Sequence, residues 1–541
     1  MDLLSLVSSF KFTPLSIFWS IVTTYLVFNL INYSIYLYRL SQLPTYRPIC
    51  KVYEVFISIA RGDSNVLRII LEEHEDYFQK NGYCVIWFLC IPCIMVGRYD
   101  KAQETVGTPA TLDKGHPFKT AEIFFGQGII SSKDEKWKSR RRLVRQQFSP
   151  LSIPHYTSNI RSLSESVNKS IQQSIVDEKK TGKPLDIRGF FSITTMKMIL
   201  GKASGVEFVE KDYRFLIKAM DKFLHQAEIR MMFPLFYTDF LYEIYIKWTG
   251  TRRMIDKTNK ILVSAIRKKY NQIKGDLQVQ SKSDAVDYDN PRLINNNNTN
   301  NNSSDLIDSS EESKRSNSLS EFLMRTWVKP ETGLTEEIES AILEEIKAVL
   351  VAGSDGPDSL MTWFIYIIGC YPEYQEMIYQ EVKDIDVKDW TLADVNSFQF
   401  LDQCFKEATR LYTSVPVKIR KAERDQIMND GKVIPKGSLI LVSLISILRD
   451  SKIFPQPFQY KPQRFAPDAT PKIPNGAYIP FGIRPRDCIG QRLAPFYIKF
   501  IVGSIIKSFK IKSHRYWDDI SYKFNFVFKP TDPLHVTFTP R

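Results

Sequence analysis

"PFGIRPRDCIGQRLA", Pro480 to Ala494, is the stretch on which the reading of this chain turns. A loop rich in glycine and proline carries one cysteine, Cys488, and an amphipathic helical pattern starts close to it. Backbone N–H groups and the positive end of a helix favour an anion there, and so a thiolate over a thiol. Arg484, Arg486 and Arg492 add positive charge. A soft thiolate so placed is a nucleophile or a metal ligand; the plain alternative is an inert buried cysteine. No histidine stands close in sequence to act as its base, although folding can bring one near.

A metal held by one strong protein ligand and otherwise by a macrocycle also suits the loop, which is thiolate-ligated haem. Other motifs then fall into an order. "KEATR" places Glu407 and Arg410 on one helix face at i, i+3. "KPQRF" supplies Pro462, Arg464 and Phe465; "KWKSRRRLVRQQF" supplies Trp137 and Arg141 at i, i+4; "VPVKIRKA" supplies Arg420. With Phe481, Arg486, Cys488 and Gly490 in the spacing F-x-x-G-x-R-x-C-x-G, the set resembles the cytochrome P450 family. The resemblance runs from about residue 43 to 541, the asparagine-rich insert excepted. It is closest to membrane-bound eukaryotic members, especially those related to fatty-acid hydroxylases. It implies a mainly α fold with small β-sheets (α+β). It also implies haem b with Cys488 as axial iron ligand, Phe481 in the haem loop, and Arg486, Arg141 with Trp137, and Arg420 at the haem propionates. Glu407, Arg410 and Arg464 would form an ionic network behind the loop; without the resemblance they read as a surface pair of little worth.

The chain departs from the family pattern twice. Arg484 stands where the family usually has Gly, so either Arg484 is strained or the loop turns differently. The second departure lies in a helix predicted from Thr335 to about Gly369, with Thr335 as cap and Glu336 and Glu337 at its positive end. At its middle stands "AGSDGPDSL", Ala352 to Leu360. Family members usually read A-G-x-(Asp/Glu)-Thr-Thr there. Ala352, Gly353 and Asp355 match, but Gly356 and Pro357 replace both threonines. In the family the first threonine helps to deliver protons as dioxygen is cleaved. Pro357 has no N–H and pushes against the Gly353 carbonyl, so the helix is expected to open to water there. Asp355 and Ser359, at i, i+4, are the expected catalytic pair on that water, with Ser354 and Asp358 behind them. In the plainer reading Asp358 and Ser359 cap a restarting helix.

The leading function is a monooxygenase. It would take electrons from NADPH–cytochrome P450 reductase and put one atom of dioxygen into an apolar, lipid-like small molecule. Lys136, Lys138, Arg140, Arg142 and Arg145 offer a docking face for an acidic reductase, or else an ordinary solvated face. Gly356 keeps open a haem-thiolate isomerase or dehydratase acting on hydroperoxides or endoperoxides. A haem-binding carrier or sensor is a third class; the motif set and anchor argue against it.

The rest of the chain fits this frame. At 541 residues, 43% hydrophobic and 25% charged, it can bury a large core. A net charge of +13 admits nucleic acid, anionic membrane or an acidic protein, but no nucleic-acid motif appears, so no nucleic-acid partner is expected. Seven scattered cysteines argue against a disulfide framework, and the C-x-x-C of Cys90 and Cys93 has the flanks of a buried strand. The 27 residues from Phe12 to Tyr38 carry no charge, enough to span a bilayer. Arg39, Arg47 and Lys51 follow, which predicts a cytosolic body on a single-pass anchor. A cleaved signal peptide and a buried core helix are the alternatives. The expected plan is a lumenal segment 1–11, an anchor 12–38 and a catalytic domain 39–541, with a disordered insert at 276–318. The expected location is the endoplasmic reticulum membrane. Met231 to Tyr245, "MMFPLFYTDFLYEIY", suits an access route or a membrane contact, though ordinary helical core is the plainer reading.

Overall fold

The computed structural model describes residues 14–45, 80–88, 91–115, 121–232, 234–283, 318–525 and 527–541. Helix α1, Pro14–Ser41, is mostly apolar and carries one charge, Arg39, in its last turn. From Ser20 onward it is long and apolar enough to cross a membrane, and its most apolar 18-residue window has no buried residue. Ile21, Leu26 and Phe28 are at least 60% exposed, which excludes a buried core helix. Only its end docks, where Leu40 and Leu43 join a core cluster with Val85 and Ile440. The uncharged run predicted an anchor at 12–38; α1 begins at Pro14 and extends to Ser41. Residues 1–11 lie outside the described residues.

Strands β1 (Tyr83–Phe88) and β2 (Ile91–Val96) pair antiparallel. Cys93 is buried in β2, as the strand reading of the C-x-x-C expects; Cys90 lies outside the described residues. Next come α2 (Asp134–Gln146), α3 (Ser192–Ser204), α4 (Glu210–Met232), α5 (Asp239–Trp248) and α6 (Thr251–Ser283). The insert expected at 276–318 therefore begins as helix: residues 276–283 continue α6, and 284–317 lie outside the described residues. Ser318 already caps the next helix by accepting the Glu321 N–H. The reading of 231–245 as core holds on one side only, at Tyr242, which is 1% exposed. Leu235, Phe240 and Ile244 are 68%, 74% and 51% exposed, and Trp248 continues the stripe at 82%. Phe240, Ile244 and Trp248 recur every fourth residue, so they share one outer face of α5.

The central element is α7, Glu336–Ile368. Thr335 caps it by accepting the Ile338 N–H at 3.3 Å, and three glutamates fill its first turn. It is continuous through Pro357, so the helix does not break there. Gly356 accounts for this. A Cβ on the residue before proline adds to the clash that disfavours the α region there, and glycine has none. Gly353 serves packing instead: a Cβ there would lie 2.4 Å from Ile199 of α3, so glycine lets the two helices cross in contact.

Helix α8 (Gln399–Leu411) leads to β3 (Val417–Lys421) and β4 (Leu439–Ser443). The sheet runs β1-β2-β4-β3, with β4 parallel to β2 and antiparallel to β3. Helix α9 spans Leu493–Ser508 and packs against α7 and α8. The hairpin of β5 (Tyr522–Asn525) and β6 (Val527–Pro530) closes over the middle of α7.

Candidate active site

The Cys488 loop forms from its glycines. Gly482 takes a left-handed φ of 87°, which a side chain would resist. Arg484 does not, so it is unstrained and the loop makes its turn two residues earlier; the Arg484–Pro485 peptide is cis. The loop closes where the Cys488 N–H donates to the Phe481 carbonyl at 2.9 Å. Helix α9 begins only at Leu493, five residues past the cysteine, so its N-terminus is farther from the thiol than expected. Cys488 is exposed in the loop. Burial pushes its thiol up; Lys418, the Gly490 N–H and Arg141 act the other way.

Cations crowd this loop. Arg486 donates to the Ser132 carbonyl at 2.6 Å and lies 4.1 Å from the Trp137 ring centre. Arg420 donates to the Ile419 and Arg486 carbonyls at 2.7 and 3.4 Å. Arg141 turns first to Asp487, bonding its carboxylate and, at 2.9 Å, its carbonyl. Lys418 stands two residues before Arg420 on β3, hence on the same strand face. Lys114 completes the set. Burial and mutual repulsion hold Arg486 down to about 9, Arg420 to about 10, and Lys114 well below its ordinary value. Lys418 falls to about 8 by burial and Arg420, against the pull of Cys488. The Arg486 Nε is buried without a hydrogen-bond partner among the described residues. Such a cluster calls for a ligand with more than one negative charge. Haem, with two carboxylates and an iron for the thiolate, fits these donors. Among the described residues no three His, Cys, Asp or Glu gather to hold a metal, so an iron at Cys488 needs its other ligands from a cofactor.

Behind the loop, the expected network is built on a fully buried pair rather than a surface pair. Arg410 donates to Glu407 at 2.7 and 2.9 Å, and Arg464 adds a third bond at 2.9 Å. Glu407 and Arg410 side chains are 0% exposed.

The middle of α7 presents two faces. Ala352 is exposed and Gly356 half-buried within an otherwise buried stretch; one helical turn apart, they share a face. Further round, Ser354, Asp355, Asp358 and Ser359 all line a cavity of about 140 Å³, enough for several waters. The four polar candidates are thus brought together, with Ser359, at i+3, nearest to Gly356 round the helix. Asp355 pairs with Lys529 at 2.5 Å, and Lys529 with Asp221 at 3.2 Å. Exposure rises along this line, from 3% at Asp355 to 29% at Lys529 and 54% at Asp221. Asp358 accepts from Ser192 at 2.8 Å. Asp355 Oδ2 and Asp358 Oδ1 have no hydrogen-bond partner among the described residues. Burial raises both acids, Asp358 to about 7. Asp358 and Ser359 do not cap a restarting helix, because α7 does not stop. Ser359 instead donates to the Phe528 carbonyl of β6, so its proton is engaged there rather than turned to Asp355.

Sequence reasoning missed Lys529, Asp221 and Ser192, which arrive from distant segments. It also missed Lys418, which the two-residue strand period from Arg420 signals. In the basic face on α2, Lys136, Lys138, Arg142 and Arg145 are exposed. Arg140 is withdrawn, 3.5 Å from buried Glu345 and 4.6 Å from the Trp327 ring.

A sequence model of the family described as Cytochrome P450 matches residues 64–538. Cytochrome P450 4c21 of Blattella germanica is 25% identical over 474 residues, covering 86% of this chain and 88% of its own. Cytochrome P450 4d1 of Drosophila melanogaster is 25% identical, with 91% and 92% covered. Cytochrome P450 4V2 of Pongo abelii is 22% identical, with 87% and 85% covered.

Proposed function

The chain belongs to the cytochrome P450 family, a family of haem-thiolate monooxygenases, and on that premise we propose that it oxidises an apolar, lipid-like substrate with electrons from NADPH–cytochrome P450 reductase. Cys488 would hold the iron, with its backbone pinned by the Phe481 carbonyl. Arg486, Arg420 and Arg141 would face the propionates, with Trp137 stacked under Arg486. The bound haem supplies the iron at which dioxygen is activated. The balance is R–H, dioxygen, two electrons and two protons in, R–OH and water out.

The observation that carries this reading is the carboxylate-lined cavity beside α7. An oxygenase needs two protons per turnover; rearranging a peroxide needs none from solvent. Asp221 and Lys529 stand at the outer end, and Asp355 and Asp358 at the inner end. Each inner acid keeps one carboxylate oxygen free of hydrogen bonds among the described residues, so water can bond there and exchange protons. Ser359 positions β6 on α7 and lines the same cavity. Lys136, Lys138, Arg142 and Arg145 would dock the reductase. Helix α1 would anchor a single-pass protein in the endoplasmic reticulum membrane with its body in the cytosol. The apolar stripe of α5 would meet the same lipid, the source of an apolar substrate. The plan of 1–11 lumenal, 12–38 anchor and 39–541 catalytic belongs to this proposal.

The test is reconstitution with reductase and NADPH, following oxygen uptake and product against a panel of lipids. Product carrying one atom from dioxygen is expected. Turnover of a hydroperoxide without NADPH or dioxygen would overturn the reading in favour of an isomerase or dehydratase.

A further inference from the structure

Protons reach a reducing dioxygen through hydroxyls or waters held within hydrogen-bond reach. Neither Ala352 nor Gly356 carries a polar side-chain atom on this side of α7. Asp355 and Asp358 lie further round the helix in the polar cavity, and Ser359, at i+3 from Gly356, has its hydroxyl on the Phe528 carbonyl. Pro357 favours glycine at 356, because a Cβ there adds to the clash that disfavours the α region before proline. A further hydroxyl reaches this side from another segment.

Ser414 brings one. A Cβ on Gly356 would stand 3.6 Å from Ser414 Cβ and 3.8 Å from its Oγ, so Ser414 flanks the space a side chain at 356 would enter. Its hydroxyl donates to the Gly356 carbonyl at 3.0 Å. The residue is half-buried, so the hydroxyl is not sealed in the core. Its backbone is fixed from two sides. The Ser414 carbonyl accepts from the Phe528 N–H at 2.9 Å, and the preceding Thr413 hydroxyl donates to the Pro480 carbonyl at 3.3 Å. Pro480 opens the loop that carries Cys488. Ser414 is thereby tied to α7, to β6 and to the thiol loop at once.

We propose that Ser414 supplies the hydroxyl that α7 lacks at Gly356 and passes protons to dioxygen as it is reduced. The proposal rests on the monooxygenase reading. For each proton given, the Oγ takes one back from water, so the alcohol is unchanged; the electrons come from the reductase. Without this route, dioxygen that has taken two electrons and two protons leaves as hydrogen peroxide instead of oxidising substrate.

The experiment uses the full-length holoprotein with reductase and a substrate found in the lipid panel. Ser414→Ala is expected to lower the share of NADPH electrons recovered in product by about tenfold, with peroxide in its place. The infrared stretch of carbon monoxide on the reduced iron should shift as the donor is lost, while the melting temperature holds. Ser414→Thr should keep both coupling and stretch. Adding Gly356→Thr and Pro357→Thr to Ser414→Ala should restore coupling, since the hydroxyl then returns from the helix. Native coupling and an unmoved stretch in Ser414→Ala would overturn the role of Ser414 alone. Hydroperoxide turnover by the native protein without NADPH or dioxygen would overturn the role together with the reading beneath it.

Discussion

Glu407 and Asp355 are both buried carboxylates facing a cation, and they differ in what is left over. Both Glu407 oxygens are engaged, by Arg410, Arg464 and the Lys461 N–H. Asp355 gives one oxygen to Lys529 and leaves the other without a partner among the described residues, and Asp358 beside it does the same with Ser192. A closed network cannot change its protonation without losing bonds, so it fixes geometry. A half-open one has a place for water and a proton, at the cost of a buried group left short of a bond. The first set lies behind the Cys488 loop and holds the scaffold still; the second lies beside α7, where protons have to move.

The sharpest way to break this comparison is to open the closed side. Glu407→Gln leaves Arg410 and Arg464 without their counter-charge in the core and should cost about 3–5 kcal/mol in denaturant unfolding, with loss of haem retention. A variant as stable as the native chain would show that the network is not a scaffold. On the open side the effects should divide differently. Asp355→Asn leaves Lys529 its second partner, Asp221. It should therefore unfold much like the native chain while NADPH-driven oxidation falls about a hundredfold. Equal losses of stability and activity would place Asp355 with the scaffold instead.

Asp358 gives the next effect, and its sign follows from its raised pKa. Burial lifts the folded value to about 7, against an unfolded value near 4. Between about pH 4 and 7 the folded chain keeps a proton that the unfolded chain releases, so stability from this group falls as pH rises and is lowest above 7. Asp358→Asn removes that penalty. It should raise stability by up to about 4 kcal/mol at pH 8 and leave it nearly unchanged near pH 4. A gain independent of pH would mean that Asp358 is not the titrating group.

The two regions also differ in how far they could be read from sequence. Cys488 and the loop around it, E-x-x-R and the Trp137–Arg141 pair are each local, with their spacing set by one turn or one helix face. The span of α7 was legible for the same reason, from its cap and periodicity. The cavity was legible only on its α7 side, as Ser354, Asp355, Asp358 and Ser359. Its other wall comes from α3, α4 and β6, and no pattern in sequence pairs Asp355 with Lys529 or Gly356 with Ser414. That α7 runs on through Pro357 has a local reason: the missing Cβ at 356 lessens the clash that proline brings. The exposed stripe on α5 was misjudged because apolar periodicity looks the same whether it faces a core or a lipid.

The smallest effect separates geometry from burial. Arg267 clamps Glu339 of α7 through two bonds of 2.6 and 3.0 Å, nearly the lengths with which Arg410 holds Glu407. Arg267 is 64% exposed, however, where Arg410 is 0%. Water already solvates Arg267 and salt screens it, although Glu339 is only 13% exposed, so the same contact that anchors the core should do little here. Arg267→Ala is expected to leave the denaturant midpoint where it was, at low and at high salt alike. A loss approaching that of Glu407→Gln would mean that bond geometry alone ranks these pairs. The contrast drawn between closed and open networks would then need a different cause than burial.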